Sequence, residues 1–169
     1  YSFLEMEETK VIYDVCIIGS GVAGTFAAAK LSTDYKKKKV ILIECGRSPQ
    51  KRRHSLCGFL GALIYSDGKL FTEDLHKVAA LVGDKTTKEN WKYCKTLLDK
   101  VCAMQTVKSK KIANSLSRKL GKHGYEFESS DYIQTVPKEI HALSKEFVKI
   151  FDANDNLDTS FDNEVLNVS

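Results

Sequence analysis

Two prolines and ten glycines in 169 residues are too few for a collagen-like or low-complexity chain. Long apolar runs are missing as well. The longest candidate, Val11 to Ile18, is broken by Tyr13 and Asp14, so no bilayer-spanning helix is expected. Charge of one sign is not concentrated, since 26 basic residues stand against 22 acidic ones for a net charge of +4. That excess falls short of the basic stripe of a nucleic-acid reader, and no nucleic-acid partner is expected. Close-set cysteine pairs are also absent. Cys16, Cys45, Cys57, Cys94 and Cys102 are odd in number and scattered, and His54, His76, His123 and His141 show no ligand spacing. A zinc centre or thioredoxin-like motif is therefore not expected, and a reducing compartment fits. Cys45 and Cys57 lack the short spacing of a flavin-linked redox disulfide and are read as ordinary thiols. Tyr1 opens the chain, and Glu5, Glu7 and Glu8 sit where a targeting peptide would be basic or apolar, so a cytoplasmic location is expected.

What is present suits a soluble globular fold. Hydrophobic residues make up 43% and charged residues 28% of a length typical of one domain, enough to bury a core without disulfides or a structural metal. Tyr13 to Ile18 is β-branched and aromatic and stops at glycine, as a short buried strand of a parallel sheet does. From Val22, apolar residues at Ala23, Phe26, Ala27 and Leu31 make a helical stripe of about three turns. After the polar stretch Ser32 to Lys39, whose lysines read as a solvated loop, Val40 to Ile43 forms a second apolar run ending at Glu44. Strand, helix and strand make a compact βαβ unit.

Beyond it the pattern predicts mainly helix. Thr72 is placed to cap a helix running through Val82 to Gly83, and Thr86 with Glu89 reads as a capping box ahead of Trp91, Cys94, Leu98 and Val101. A third helix is expected near Ile112, Leu116 and Leu120, and a fourth from Pro137 through Ile140, Leu143, Phe147 and Phe151. Leu157 to Phe161 and Val165 to Val168 read as closing strands. The expected organisation is an extension over 1–12, a βαβ unit with a glycine-containing loop over 13–72, a mainly helical insertion or second lobe over 73–156, and returning strands over 157–169. The expected fold class is α/β, a Rossmann-like dinucleotide-binding βαβ unit with that helical insertion, as an incomplete FAD/NAD(P)-binding domain.

Gly19-Ser20-Gly21-Val22-Ala23-Gly24 is a G-x-G-x-x-G sequence set between the first strand and the first helix. In such a loop Gly19 permits the tight turn, Gly21 lets backbone N–H groups approach a pyrophosphate, and Gly24 brings helix and sheet close. The helix N-terminus faces the phosphates with its partial positive charge. Glu44 ends the second strand 20 residues beyond Gly24, where a carboxylate accepts bonds from a ribose hydroxyl pair and repels a 2′-phosphate. An adenine dinucleotide is the inferred ligand. These residues address only its ADP half, which FAD and NAD share.

Tyr13 to Ile18 leading into the glycines, with Glu44-Cys45-Gly46-Arg47 after the second strand, resembles the opening of two-dinucleotide-fold flavoproteins of the glutathione-reductase-like superfamily. Leu56-Cys57-Gly58-Phe59-Leu60-Gly61-Ala62, followed by Tyr65-Ser66-Asp67-Gly68-Lys69-Leu70, is similar to a family of FAD-dependent dehydrogenases with a glycine-rich loop and a Ser-Asp-Gly-Lys sequence. The resemblance implies FAD as cofactor, NAD(P)H as an electron donor or acceptor, and an oxidoreductase whose substrate the sequence does not name; the alternatives are an NAD-linked dehydrogenase and a degenerate or truncated nucleotide-binding module without activity. The resemblance adds Cys45, Arg47, Gly61, Ala62 and Val165 to Ser20, Val22, Ala23 and the three loop glycines as cofactor-contacting residues, with the Val165 backbone meeting the adenine. It also implies a later Gly-Asp strand over the ribityl and pyrophosphate. Nothing here matches that strand, so the chain is expected to be an N-terminal part, inactive by itself.

The chain departs from the family at Leu60 and Leu63, expected to add bulk near the flavin, and at Tyr132 and Gln134, which stand where a histidine and a glycine are usual. No catalytic base is assigned there. Two local features stay open. Ser66 to Lys69 reads equally as a hairpin turn, and Arg47 reads either as a contact to the cofactor's phosphates or ribose or as an exposed loop arginine. Lys51-Arg52-Arg53 is expected to be a solvated basic cluster.

Overall fold

The structure of the protein, a computed structural model, describes residues 11–52, 57–71, 75–103, 105–107, 114–124 and 132–167. In chain order the elements are β1 (Val15–Ile18), α1 (Val22–Asp34), β2 (Val40–Ile43), a short 3-10 helix (Gly61–Tyr65), β3 (Lys69–Phe71), α2 (Leu75–Val82), α3 (Asp84–Asp99), β4 (Gln105–Val107), α4 (Asn114–Gly121), β5 (Tyr132–Gln134), α5 (Pro137–Asp152) and β6 (Leu157–Ser160). They fall into two compact units. The described residues up to Gly61 and from Phe147 onward form one, and Ala62–Glu146 forms the other.

The first unit is built on a parallel sheet in the order β1-β2-β6, with Val15 opposite Val40 and Val40 opposite Leu157. A parallel neighbour needs a crossover, and α1 supplies it between β1 and β2. Side chains alternate along a strand, so Val40 and Leu42 turn inward together while Ile41 and Ile43 are only half-buried. Val40 and Leu42 form a core with Ala28 and Leu157, and Val15, Ile17, Leu31 and Phe151 pack against it. The small side chains Ala28 and Ala29, both fully buried, let α1 lie close to the sheet.

Aromatic rings extend this core. Phe26 meets Phe147 edge-on at 4.8 Å between centroids, and Phe59 meets Phe151 at 5.8 Å. Such contacts add about 0.5–1.5 kcal/mol beyond the burial of the rings. Phe59 and Phe147 are fully buried, which anchors the loop carrying Phe59 to this unit.

Several sequence expectations change here. β1 is not buried on both faces, because Cys16 and Ile18 are exposed. Among the described residues it is an edge strand of its sheet, a property fixed by the neighbouring strands and invisible in a continuous apolar run. β6 forms at Leu157–Ser160 as expected, whereas residues 163–167 carry no strand, and Val168 lies outside the described residues.

The second unit is less helical than its sequence suggests. It contains an antiparallel sheet in the order β3-β5-β4, which pairs Leu70 with Ile133 and Thr106 with Ile133 from opposite sides. Each strand is three residues long, too short for a period-2 pattern to register. The expected start of α3 also moves. Gly83, at φ 87°, precedes Asp84, and no side chain caps the helix, so Thr86 lies inside it. Thr87 instead bonds back to the Gly83 carbonyl at 2.9 Å. Thr72 and Ile112 lie outside the described residues. α5 does begin at Pro137, where the fixed φ and missing N–H of proline cost nothing. Its Glu139 closes the start by accepting from the Val136 N–H at 3.0 Å.

Ser66 to Gly68 is an irregular connection and not the turn of a hairpin, and Lys69 already belongs to β3. The connection leads from the 3-10 helix into β3, which pairs with the distant β5. Gly68 has φ 73°, and an added Cβ would lie 2.4 Å from the Thr135 carbonyl oxygen, so both backbone angle and space call for glycine. Lys69 pairs with Asp67 at 2.8 Å, which lowers the pKa of the Asp67 carboxyl.

Candidate dinucleotide-binding site

The three glycines of the loop between β1 and α1 serve different physical ends. Gly19 has φ 93°, a conformation that side chains disfavour. Its N–H donates to the Ile43 carbonyl at 2.7 Å, so the turn is tied to the end of β2. Gly24 is a packing glycine, since an added Cβ would lie 1.9 Å from the Gly19 carbonyl oxygen. Gly21 is neither. Its φ is −60°, which any residue adopts, and an added Cβ would meet nothing within 4 Å. Among the described residues, neither backbone angle nor packing requires glycine at position 21.

Gly21 also precedes the first turn of α1, which has no side-chain cap and no acidic residue. A helix start of this kind keeps its partial positive charge and leaves its N–H groups turned toward solvent or a ligand. Val22 and Ala23 in that turn are exposed, and Gly61 approaches from the loop after β2, where its added Cβ would lie 3.3 Å from the Gly21 Cα. Helix starts of this kind are where anions are favoured in proteins generally.

Glu44 lies behind this surface. It is 5% exposed, and both of its oxygens are engaged within the chain. Oε2 accepts from the Ser20 N–H at 2.7 Å and the Ser20 hydroxyl at 2.9 Å. Oε1 accepts from the N–H groups of Gly46 and Gly58 at 2.8 and 3.0 Å, with the Cys45 thiol at 3.4 Å. Burial raises the pKa of the carboxyl, but the bonds from Ser20, Gly46 and Gly58 outweigh it and bring it down to about 2. One carboxylate thus ties together the glycine loop, the end of β2 and the loop beginning at Gly58. The spacing that marks Glu44 as a ribose ligand carries no sign of this structural role.

The 58–61 loop is held from its other side as well. The Leu60 N–H donates to the Ser20 carbonyl at 2.7 Å. Arg52 donates to the Gly58 carbonyl at 3.1 Å and also to the carbonyls of Phe59 and Gly61. Arg52 is therefore half-buried in a specific set of bonds and is not part of a solvated cluster. No spacing rule links an arginine to carbonyls six to nine residues onward, so the sequence held no signal for it. Leu60 holds φ 63° and is fully buried, and Leu63 is 8% exposed. Both leucines spend their bulk in the interior rather than in open space at the loop.

Cys45 is exposed, and its thiol pKa is raised by the hydrogen bond to Glu44 and by that residue's charge. The Arg47 side chain is exposed, while its carbonyl accepts from the Phe59 N–H at 3.4 Å. Ala62 is an exposed residue of the 3-10 helix, and Val165 is half-buried in the irregular stretch after β6. Among the described residues, no group of histidine, cysteine and carboxylate side chains is disposed to hold a metal, and no helix is long and apolar enough to cross a membrane.

A parallel β6-β2-β1 sheet with a glycine turn leading from β1 into α1 defines the class as mixed α/β, a partial Rossmann-like unit. The chain matches no protein-family model and no curated protein. Among solved structures it is similar to pqsL of Pseudomonas aeruginosa, described as a probable FAD-dependent monooxygenase, at 12% identity and TM-score 0.43 over 93% of this chain and 35% of that one. It is also similar to a flavoprotein/dehydrogenase from Cytophaga hutchinsonii, at 17% identity and TM-score 0.44 over 92% and 32%. A third is an L-amino acid deaminase from Proteus vulgaris, at 14% identity and TM-score 0.36 over 95% and 43%. The chain thus spans less than half the length of each of these proteins.

Proposed function

We propose that this chain binds the ADP half of FAD and serves a flavin-dependent oxidoreductase. The observation that carries the reading is Gly21: its backbone angle is ordinary and, among the described residues, its missing side chain faces open space, which leaves room for a ligand's close approach. A pyrophosphate against the uncapped start of α1 would use that room. Val22, Ala23 and Gly24 would present the backbone to it, with Gly61 alongside, while Ser20, fully buried with its N–H given to Glu44, supports the loop from behind and does not touch the ligand. When bound, the flavin supplies the acceptor for hydride or electrons, and the protein supplies binding and orientation.

The preference for FAD over NAD rests on the resemblance carried by Leu56 to Leu70, because the glycine loop addresses only the half common to both. Titration with ADP, FAD and NAD, followed by calorimetry and by the visible flavin spectrum, separates the possibilities. Binding of ADP and FAD with a perturbed flavin spectrum is expected. Binding of NAD alone would replace the flavin reading, and no binding of any of the three would end the dinucleotide reading.

A further inference from the structure

We propose that Arg52 is a positioning residue for dinucleotide binding, acting through the 58–61 loop by turning its carbonyls away from the pyrophosphate surface. The inference rests on the dinucleotide reading above. Three carbonyls, those of Gly58, Phe59 and Gly61, converge on one guanidinium. Of the N–H groups of the same segment, Gly58 donates to Glu44, Phe59 to the Arg47 carbonyl and Leu60 to the Ser20 carbonyl, while Gly61 donates to the Gly58 carbonyl, which therefore has a second donor besides Arg52. The loop is therefore fixed on both sides, and Gly61 is held against Gly21.

Orientation matters because of charge. A pyrophosphate placed beside Gly21 meets the Gly61 segment, and carbonyl oxygens directed at it would repel it. Arg52 engages those oxygens and adds a positive charge behind them. The planar, forked guanidinium serves several acceptors from one fixed position, which a flexible ammonium does not reproduce. Leu60 makes the need greater, since it keeps a left-handed backbone, φ 63°, that a non-glycine residue adopts only when its surroundings enforce it.

The test uses the full chain as wild type, Arg52→Ala and Arg52→Lys, with ADP as the calorimetric probe, melting as the control, and hydrogen exchange read at the amides of residues 58–61. Arg52→Ala is expected to lose about tenfold or more in ADP affinity and to exchange faster at those amides. Arg52→Lys is expected to regain only a minor part of the affinity. An Arg52→Ala affinity within about twofold of wild type, or full recovery with lysine, overturns the proposal. Should the alanine variant fail to fold, the lysine variant decides by the same criterion. Absence of ADP binding by the wild type refutes both readings, whereas wild-type binding that is indifferent to residue 52 refutes this one alone.

Discussion

Replacing Glu44 with glutamine keeps the shape of the side chain and removes its charge, so the outcome isolates what the carboxylate does. The carboxylate accepts N–H bonds from Ser20, Gly46 and Gly58 and a hydroxyl bond from Ser20. A glutamine offers one oxygen. With that oxygen toward Gly46 and Gly58, its NH₂ group faces Ser20, whose hydroxyl can rotate to accept but whose N–H is left unpaired in a fully buried residue. An orphaned buried donor costs about 1–3 kcal/mol, and loss of charge assistance at the remaining bonds adds to it, for a total of about 3 kcal/mol.

The protonation equilibrium offers a second route to the same quantity. A folded-state pKa lowered from 4.5 to about 2 corresponds to about 3 kcal/mol of stability. Because the folded pKa is depressed, this stabilisation is complete above pH 4.5 and disappears as the pH falls toward about 2. Glu44→Gln should therefore lower the melting temperature by about 5–12 °C at pH 7. The gap between wild type and variant should close as both are acidified from pH 5 to 2. Thermal melting followed by circular dichroism at each pH reads this directly. A variant that melts with the wild type at pH 7, or a gap that does not change with acidification, would refute the account of Glu44 as an internal tie.

Gly21→Val should abolish ADP binding in a titration while leaving the melting temperature nearly unchanged, since its side chain enters only the open space at the loop; an unchanged affinity would remove Gly21 from the site. Gly24→Ala should do the reverse and destabilise the fold, because its Cβ would overlap the Gly19 carbonyl, with an unaltered melting curve as the contrary result. Leu60→Gly relieves a left-handed backbone worth about 1 kcal/mol but empties a fully buried side-chain position worth about 2–5 kcal/mol. Net destabilisation in a denaturant titration is expected, and a more stable variant would reverse that ranking. Cys102 is buried, and burial, with Glu139 and Asp99 nearby, raises its thiol to about 11. It should resist a thiol reagent at pH 8 while the exposed Cys16 reacts, and equal labelling of the two in the native protein would contradict its burial.

Local chemistry was readable in the chain itself. Val40 to Ile43 is a strand because four branched or apolar residues end at a charge, α5 starts at Pro137 because proline suits a first turn, and the three loop glycines stand where strand meets helix. Such features depend on residues near one another in sequence, which is why pattern alone finds them. Long-range placement was not readable. That β1 lies at a sheet edge among the described residues, that β3 pairs with β5 more than sixty residues away, and that Leu60 and Leu63 turn inward all depend on what packs beside them. The same division runs through the site. The sequence marked Gly21 and Glu44 by spacing, but only the tertiary structure separated a glycine with an ordinary backbone angle and open space among the described residues from two that the turn and the packing require. Only the tertiary structure, too, closed Glu44 onto Ser20, Gly46 and Gly58 and brought Arg52 to three carbonyls, because a buried charge takes whichever donors or acceptors the folded chain brings within reach, and their separation in sequence leaves no periodic trace.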